Sequence, residues 1–485
     1  MKTILFLDRA PLTELYAKMT PHMNGVKCIH VAYSQKDVDI LSSYGIKPDY
    51  VYLDLFKNEY DQATYDNQLL QSIDNEIIVN TNGRFNLNGA IQSDRGFTLL
   101  SYDECLRSVV AHYNVWNGIF KDNQVDLILH EPCSLFFNFL GCVLCKQQGG
   151  AFSYQVASLS DSYEYSYQNV INDDFTYPEL QYLFNKYLSN KALVDVERCN
   201  RFLEKFRKEQ GTFLGGILNR RVSIFKLCIG AIKHKAISIR KKKSTSKIYN
   251  NIGYWQLTFN KSWEKLKNVL GYRFNKIKFE SKIPDDEKFF FYPFHLEPEA
   301  VVMYLGDGIY KNQTKLIENI AASLPAGFYL YVKDHPHEYA YRDSIDYKRL
   351  MQVPNIRLFN QWISAKAIMS KAQGVITING TAGFEAALLN KQVYCFGHNM
   401  YSFLSRVNYI SNIRDLKPAI YNNINKQYTD DDELRAYVMA YLNSCHPGYT
   451  DCYSGGVFID DFDYEENAKT ISANTLGFVN QKYMQ

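Results

Sequence analysis

Short apolar runs alternate with amphipathic stretches along residues 1 to about 165. The runs KTILFLD, KCIHVAYS, DYVYLDL and VDLILHE predict strands, because they are brief, apolar and bounded by polar residues. The stretches PLTELYAKMT, TLLSYDECLRSVVAHYNVWNGIF and SLFFNFLGCVLCKQQGG predict helices. Strands that alternate with helices are typical of a parallel sheet with helices on both faces.

A second alternating region spans about residues 283 to 420. Strands are predicted at KFFFYPF, GFYLYVKDHP, IRLFN, GVITING and KQVYCFG, and helices at TKLIENIAASLP, SAKAIMSKAQ and GTAGFEAALLN. Further along, DDDELRAYVMAYLNSC predicts a helix that opens with acids. The tail after residue 450 is acidic and aromatic before it becomes helical. The fold class is therefore predicted to be α/β with two sheets.

The chain length predicts two domains, because 485 residues are more than a single hydrophobic core usually stabilises. Hydrophobic residues make up 46% and charged residues 22%, which is an ordinary globular composition. We expect four segments: a domain at 1–185, a basic helical insertion or linker at 186–282, a second domain at 283–425, and C-terminal helices at 426–485.

The cysteines and the apolar segments bear on the cellular compartment. Cys142 and Cys145 form a CxxC pair inside a predicted helix, and no second pair completes a zinc site, so we interpret them as buried and structural. MKTILFLDRAPL predicts a first strand rather than a signal peptide, and no apolar window reaches 18 residues. These features favour a cytoplasmic protein with reduced thiols.

A basic stretch covers residues 205–247. Between Glu204 and Lys247 there are 13 lysines and arginines against two acids, whereas the whole chain has a net charge of +3. Because apolar residues are mixed with this charge, the stretch can lie on an anionic membrane surface, peripheral to the inner face. A solvated helical insertion or a flexible linker is the alternative. Nucleic-acid binding is disfavoured, because no recognised nucleic-acid module accompanies the charge.

The strongest local signal for chemistry is GVITINGTAGFEAALLN. A buried strand is followed at once by a helix, and the turn between them carries Thr377, Asn379, Gly380 and Thr381. Unpaired N–H groups at a helix start favour phosphate, and glycine lets the phosphate approach the backbone. Glu385, one turn into the helix, can accept hydrogen bonds from ribose hydroxyls. The alternative is an ordinary N-capped helix with an early acid.

A second cluster follows the neighbouring predicted strand, in LYVKDHPHE. Lys333 supplies a point charge for phosphate, while His335 and His337 can donate to phosphate oxygen or act as acids. Pro336 stiffens the turn between the two imidazoles. A single histidine is usually structural, but this cluster precedes the phosphate-type turn by one βα unit.

A third cluster, in FFFYPFHLEPEA, consists of His295, Glu297 and Glu299. Glu131, which follows the strand VDLILHE of the first domain, is a further candidate. Carboxylates can activate an acceptor hydroxyl or attack an anomeric carbon, so these residues suit glycosyl transfer. Each can instead cap a helix or pair with a lysine.

Taken in this order and spacing, YPFHLEPE, YVKDHPHE and TINGTAGFEAALLNKQVYCFG resemble the capsule polysaccharide biosynthesis proteins, a group that includes the capsular Kdo transferases. The resemblance covers about residues 285 to 405 and extends only loosely to ILHEPCSLFFNFLGCVL in the first domain. It implies a GT-B-like architecture with two Rossmann-like domains, an interdomain cleft and a C-terminal helix that returns to the first domain.

The resemblance also implies roles for individual residues. The second domain would hold the nucleotide, with His335, Pro336 and the GTAGFE turn at its phosphates and ribose. In the Kdo transferases a carboxylate of the matching loop attacks the sugar, which here would be Glu297 or Glu299. This chain has glutamate where those enzymes carry an aspartate-containing pattern. No metal ion or other cofactor is implied.

The resulting hypothesis is a metal-independent glycosyltransferase. It would move Kdo or another acid sugar from a nucleotide donor, CMP-linked in the Kdo case, to a surface-polysaccharide or lipid-linked acceptor. Three alternatives stay open: a teichoic-acid-type transferase of polyol phosphate from a CDP-linked donor, a UDP-sugar 2-epimerase, and a non-catalytic capsule assembly protein.

Overall fold

The computed structural model describes residues 1–97, 100–209, 266–297, 302–306, 308–335, 342–450 and 459–481. It divides into a first unit, Met1–Glu204 with Asp431–Gln485, and a second unit, Lys205–Asp430. The basic stretch beyond residue 209 lies outside the described residues. No helix within the described ranges is both long enough and apolar enough to cross a membrane.

Each unit contains one sheet, and both sheets are covered by helices. The strands are β1 (Thr3–Asp8), β2 (Lys27–Ala32), β3 (Tyr50–Val51), β4 (Leu127–Leu129), β5 (Ala151–Ser158), β6 (Ser166–Ile171), β7 (Lys288–Pro293), β8 (Phe328–Lys333), β9 (Ile356–Phe359), β10 (Gly374–Thr377), β11 (Gln392–Cys395), β12 (Val407–Tyr409) and β13 (His446–Pro447).

The helices up to residue 208 are α1 (Leu12–Met19), α2 (Gln35–Ser43), α3 (Tyr52–Gln62), α4 (Asn67–Asn80), α5 (Leu87–Gln92), α6 (Tyr102–Asp122), α7 (Phe136–Gln147), α8 (Pro178–Ser189) and α9 (Val196–Lys208), and the last of these continues into the second unit. A helical segment covers 266–274. The remaining helices are α10 (Gln313–Ser323), α11 (Ser344–Met351), α12 (Ala365–Lys371), α13 (Thr381–Leu388), α14 (Ile413–Asn423), α15 (Asp432–Asn443) and α16 (Tyr464–Val479).

The two sheets share one strand order. The first sheet runs β13-β6-β5-β4-β1-β2-β3 and the second runs β12-β11-β10-β7-β8-β9. In both, the second and third strands lie on one side of the first strand and the next three lie on the other side, which is the order of a Rossmann fold. The first sheet adds β13 at its edge. The predicted α/β class with two Rossmann-like units is confirmed, while the cleft between them stays a prediction.

The second sheet is parallel throughout, but the first has an antiparallel edge. β6 pairs antiparallel with β5, and β13 pairs antiparallel with β6. The sequence pattern predicts no strand at β6, because its buried positions include polar residues. Two of those residues have specific partners: Ser166 donates to the carbonyl of Ser158 at 2.8 Å, and Gln168 donates to Ser444 at 2.5 Å. These hydrogen bonds allow Ser166 and Gln168 to be buried beside the apolar Tyr167 and Val170.

One predicted strand is wrong over most of its length. DYVYLDL contributes only Tyr50–Val51 to the sheet, and the chain then enters the helix α3. Tyr52 and Phe56 are both fully buried and lie four residues apart, which is helical spacing. The hydroxyl of Tyr52 lies 2.9 Å from Nδ1 of His112 in α6. Short apolar runs fit strand and helix alike, and here the packing against α6 decides.

The residues after 431 complete the first unit. α15 is opened by Asp431, whose side chain accepts from the N–H of Leu434 at 2.8 Å. Ala468 and Ile471 of α16 lie in the hydrophobic cluster beneath β1 and α1. The hydroxyl of Ser472 in the same helix donates to the carbonyl of Met19 at 3.2 Å. The last helix is thus an integral part of this core.

The packing of α7 generates a stability prediction. The ring of Trp116 is fixed by its Nε1–H, which donates to the carbonyl of Phe137 at 2.7 Å, and a Cβ at Gly141 would lie 2.5 Å from Cζ2 of that ring. Gly141→Ala should therefore lower the free energy of unfolding by about 2 kcal/mol through overpacking. Gly118→Ala is the control: it lies on an exposed face of α6 with no neighbour within 4 Å, and should stabilise by up to about 1 kcal/mol. Urea unfolding measures both, and an unchanged midpoint for Gly141→Ala would contradict this packing.

Candidate functional site

Both sheets present polar residues where the strand order reverses. In the second unit β7 pairs with β10 at this point, and in the first unit β1 pairs with β4. Ligands of open parallel sheets bind beyond the carboxyl ends of such strands. The residues that follow these ends include His295 and Gly380 in the second unit and Arg9 and Glu131 in the first.

His295 forms the centre of the site in the second unit. Its Nε2 accepts a hydrogen bond from the backbone N–H of Ile378 at 3.1 Å and lies 3.0 Å from the hydroxyl of Thr377. Because the backbone N–H can only donate, Nε2 is unprotonated and Nδ1 carries the ring proton. Burial, with the charges of His335 and Arg342, lowers the pKa of His295 to about 3. The ring is therefore a neutral donor through Nδ1 at physiological pH.

Gly380 allows the imidazole of His295 to lie against the start of α13. A Cβ at this position would lie 2.6 Å from Cε1 and 3.1 Å from Nδ1 of His295. The N–H of Gly380 donates to the hydroxyl oxygen of Thr377 at 3.3 Å, and the helix begins at the next residue, Thr381, which is exposed. The protonated nitrogen of the imidazole and the first N–H groups of α13 thus lie together, which is an arrangement suited to an anion.

The second glycine of the turn, Gly383, has a packing role. A Cβ there would lie 2.4 Å from Cζ of Tyr401, whose hydroxyl donates to the carbonyl of Gly380 at 2.7 Å. Asn379 is fully buried and donates to the carbonyl of Leu305 at 2.9 Å. Both contacts fix the turn rather than present a side chain to a ligand.

Lys333 and Glu385 supply opposite charges close to this turn. Lys333 ends β8 with its side chain buried, and its ammonium group donates to the carbonyl of Asp334 at 3.3 Å. Burial lowers the pKa of Lys333 to about 8, against the opposing influence of Asp334 and Glu385. The lysine therefore stays largely cationic at pH 7. His335 is half-buried, and its backbone N–H donates to the carboxylate of Asp334 at 2.9 Å.

Glu297 is held in a network of buried polar groups. Its carboxylate accepts from Arg342 at 3.3 Å and from the amide of Gln313. The side-chain oxygen of Gln313 also accepts a hydrogen bond from the backbone N–H of His295 at 2.8 Å. Arg342 in turn donates to the carboxylate of Asp334 at 3.2 Å. Burial raises the pKa of Glu297, partly offset by Arg342. This network joins the loop after β7 to the end of β8.

In the first unit, Glu131 follows β4 and forms an ion pair with Arg9, which follows β1. Arg9 also lies over the ring of Tyr33 at 5.3 Å. His130, adjacent to Glu131, is buried, and its Nδ1 lies 3.0 Å from the carbonyl of Leu7. Asp8, the last residue of β1, is fully buried and lies 3.0 Å from Nδ1 of His30. Polar groups of β1 and β4 therefore meet at the same end of the sheet.

The structure brings several predicted residues together and leaves others outside the described residues. His295, Thr377 and Gly380 are in contact, and Lys333 and Glu385 interact electrostatically near the same turn. Glu299, Pro336 and His337 lie outside the described residues. Within the part of the chain that the structure describes, no cluster of three or more histidine, cysteine, aspartate or glutamate residues could hold a metal ion.

Sequence reasoning missed the residues that orient the predicted ones. Gln313, Arg342 and Tyr401 are distant in sequence from the residues they hold, and no local pattern marks them. His130 directly follows the segment VDLIL of a predicted strand and precedes Glu131, so its place at a strand end is visible in the sequence.

Comparison with known proteins adds one family match. Residues 223–410 match the family model described as capsule polysaccharide biosynthesis protein. This segment contains the strands β7 to β12 and the turn at Gly380. The predicted resemblance to capsule polysaccharide biosynthesis proteins is therefore confirmed over this segment. No curated protein sequence matches the chain.

Solved structures offer remote likenesses. The chain is similar to Thermosulfurimonas dismutans KpsC, beta Kdo 2,7 transferase, with 12% identity, 98% of this chain and 100% of that chain covered, and a TM-score of 0.37. It is similar to the S. aureus MnaA-UDP co-structure with 14% identity, 92% of each chain covered and a TM-score of 0.25. A third is UDP-GlcNAc 2-epimerase from Neisseria meningitidis bound to UDP-GlcNAc, with 14% identity, coverages of 92% and 97%, and a TM-score of 0.24. At these scores no conclusion about activity follows.

The contact between Gly380 and His295 generates a binding prediction. In Gly380→Ala the new methyl group would displace the imidazole of His295 and break its bond with the N–H of Ile378. We expect affinity for a nucleotide phosphate to fall about tenfold, or about 1.4 kcal/mol. Calorimetric titration with CMP and UDP measures it. Gly477→Ala is the control, because it lies on α16 with no neighbour within 4 Å. Unaltered affinity in folded Gly380→Ala would argue against a phosphate site here.

Proposed function

We propose that this chain is a glycosyltransferase that moves a sugar from a nucleotide donor to a surface-polysaccharide or lipid-linked acceptor. The observation that carries the proposal is the meeting of His295, Thr377 and Gly380 at the strand-order reversal of the second sheet. The match of residues 223–410 to the capsule polysaccharide biosynthesis family covers this site and supports the assignment.

In this proposal the donor phosphate binds at the start of α13. The N–H groups of its first turn and the Nδ1–H of His295 donate to phosphate oxygens. Lys333 contributes positive charge, which its burial strengthens because buried charges are less screened by water. His335, Pro336 and Thr381 complete the proposed phosphate surroundings, Asn379 holds the turn through its bond to the carbonyl of Leu305, and Glu385 accepts from the ribose.

We propose that these groups neutralise the leaving phosphate without a metal ion. A buried lysine and a helix start supply the positive charge that a divalent cation otherwise supplies to a departing phosphate. For an acid sugar such as Kdo the nucleotide would be CMP. A donor with one phosphate needs fewer cationic groups than a diphosphate, and Lys333 is the group that we assign to it.

The carboxylates of the loop after β7 have different proposed roles. Glu297 accepts from both Arg342 and Gln313, so its oxygens are occupied by contacts that order the loop. We therefore assign Glu297 to positioning and keep Glu299 as the proposed carboxylate that acts on the sugar. His337 is proposed as the acid beside the leaving phosphate, and Glu131 as a carboxylate on the acceptor side.

A donor panel tests the reaction class. The protein is incubated with CMP-Kdo, UDP-N-acetylglucosamine and CDP-glycerol, and released nucleotide is measured by chromatography. A nucleotide sugar should be consumed and CDP-glycerol should not. Lys333→Ala and His335→Ala should weaken nucleotide binding about tenfold. Glu299→Gln should keep binding and lower turnover at least about 100-fold.

The controls separate the alternatives. If CDP-glycerol is the only donor that is turned over, the protein is a polyol phosphate transferase and the proposal is wrong. Conversion of a UDP-sugar into its epimer without acceptor would replace it with an epimerase. Wild-type turnover by Glu299→Gln would remove this residue from the mechanism, and nucleotide binding without any turnover would favour the assembly-protein alternative.

We further propose that the basic stretch 205–247 brings the enzyme to an anionic membrane surface from the cytoplasmic side. Each lysine or arginine near such a surface contributes about 1 kcal/mol. Replacing Arg240, Lys241, Lys242 and Lys243 by serine should therefore weaken co-sedimentation with vesicles that contain 30% phosphatidylglycerol, but leave transfer to a soluble acceptor unchanged. Neutral phosphatidylcholine vesicles are the control, and equal sedimentation of variant and wild type would end the membrane hypothesis.

A further inference from the structure

The helical segment 266–274 of the second unit has large apolar side chains on the side that faces solvent. Leu270 is 53% exposed and Phe274 is 88% exposed. Among the residues that the structure describes, Phe274 is the only exposed phenylalanine. One exposed apolar residue is common on protein surfaces, but two that lie four residues apart in a helix are neighbours on the same face. The pair therefore forms an apolar patch on the surface of the second unit.

The other side of the segment is packed against the start of α11. The hydroxyl of Tyr272 donates to the carbonyl of Arg342 at 2.6 Å, and the side-chain amide of Asn275 donates to the hydroxyl of Ser344 at 2.8 Å. Val269 is buried on this side as well. Because a helix turns by about 100° per residue, these contacts direct the two exposed apolar side chains away from the unit.

The end of the segment is held by a Schellman motif. The N–H of Ile277 donates to the carbonyl of Tyr272 at 3.0 Å, and the N–H of Lys276 donates to the carbonyl of Arg273 at 3.2 Å. Lys276 has a φ of 52°, the left-handed conformation that this motif requires and that glycine usually supplies. Tyr272 and Ile277 both pack against the core of the second unit. Phe274 therefore belongs to a firmly closed helical turn, and the fold itself keeps its ring exposed.

Cationic side chains surround the apolar pair. The exposed ones are Lys267, Arg273, Lys276 and Lys278. Between residues 266 and 280 the chain has these four cations and one acid, Glu280. On the helix, Lys267 and Arg273 lie on opposite sides of Leu270, each about 60° away. Lys267 lies 4.0 Å from Asp343, whereas the other three cations form no ion pair within the described ranges.

An anionic lipid surface matches this combination. Apolar side chains in the middle of an exposed helix face, with lysine or arginine on both flanks, are typical of helices that lie in the membrane interface. Lipid phosphates attract the cations, and the acyl boundary accepts the apolar side chains. A symmetric contact between two copies of the chain would place like charges opposite each other. A nucleic acid backbone offers phosphates but no apolar layer for a leucine.

We propose that Leu270 and Phe274 insert into the surface of a membrane that contains anionic lipid, while Arg273, Lys276 and Lys278 contact the headgroups. This patch lies outside the basic stretch 205–247 and adds a point of insertion to the attraction that charge supplies. The inference does not rest on transferase activity, so failure of the donor panel would contradict the proposed function and leave the patch in place.

The first variant removes the aromatic ring. Phe274→Ala should weaken co-sedimentation of the full-length protein with vesicles that contain 30% phosphatidylglycerol about tenfold, because the ring no longer leaves water. Val79→Ala is the matched control. Val79 is 71% exposed and lies on α4, a helix without lysine or arginine, so this variant should bind as the wild type does. Equal sedimentation of Phe274→Ala and wild type would exclude insertion at this patch.

The second variant removes charge without disturbing the fold. Lys276→Gly places glycine at a left-handed position, so the urea midpoint should stay the same or rise. Loss of one cation should nevertheless weaken vesicle binding about fivefold, and the difference should shrink as salt is added. Unchanged vesicle binding, or a loss that occurs only together with a lower urea midpoint, would contradict a headgroup contact.

The third variant reports insertion directly. In Phe274→Trp, the fluorescence that exceeds that of the wild type should shift to the blue on phosphatidylglycerol vesicles and be quenched by brominated lipid. Neutral phosphatidylcholine vesicles should produce neither effect. Absence of quenching on anionic vesicles would overturn the inference, as would a change of oligomeric state in Phe274→Ala at unchanged vesicle binding, which would identify the patch as a contact between copies.

A combined variant separates this patch from the basic stretch 205–247. The serine replacements at Arg240, Lys241, Lys242 and Lys243 are measured with and without Phe274→Ala. If the serine variant binds vesicles as the wild type does and only Phe274→Ala weakens binding, the patch is supported and the role of the stretch is wrong. If the wild type does not bind anionic vesicles, both membrane proposals are wrong.

Discussion

The reversal of strand order within each sheet is the constraint on which the rest of the structure depends. Crossovers between parallel strands are right-handed, so helices that follow strands on opposite sides of the reversal lie on opposite faces of the sheet. The strand ends between them cannot be covered by either helix. Both sheets have this reversal, next to β1 in the first and next to β7 in the second. The polar residues at these ends can therefore meet a ligand without opening the cores.

In the second unit, the close approach of His295 to the start of α13 follows from that geometry. The absence of a side chain at Gly380 lets the imidazole lie against the turn, and the N–H of Ile378 fixes which nitrogen carries the proton. Burial keeps the ring neutral, so it donates one hydrogen bond rather than contributing charge. Positive charge comes from Lys333 and the helix start instead. In this site a neutral imidazole therefore supplies a hydrogen bond, while the lysine and the helix start supply the positive charge.

The candidate carboxylates differ because their neighbours differ. Glu297 is bound by Arg342 and Gln313, and Glu131 is bound by Arg9. A carboxylate whose oxygens already accept from a cationic or amide group holds that partner in place. Glu297 therefore orders the loop after β7, and Glu131 fixes Arg9 at the carboxyl end of β1.

The sequence by itself determined the alternation of strands and helices, because apolar runs and amphipathic periods are local properties. It also located the turn at Gly380 and the cluster at Lys333, because these residues directly follow buried strands. Tertiary structure decided the features that depend on contacts between residues distant in sequence. The switch from strand to helix at Tyr52 depends on packing against α6, and β6 is buried through hydrogen bonds to residues distant in sequence. The hydrogen bonds that Glu297 accepts from Arg342 and Gln313 likewise depend on partners that only folding brings near.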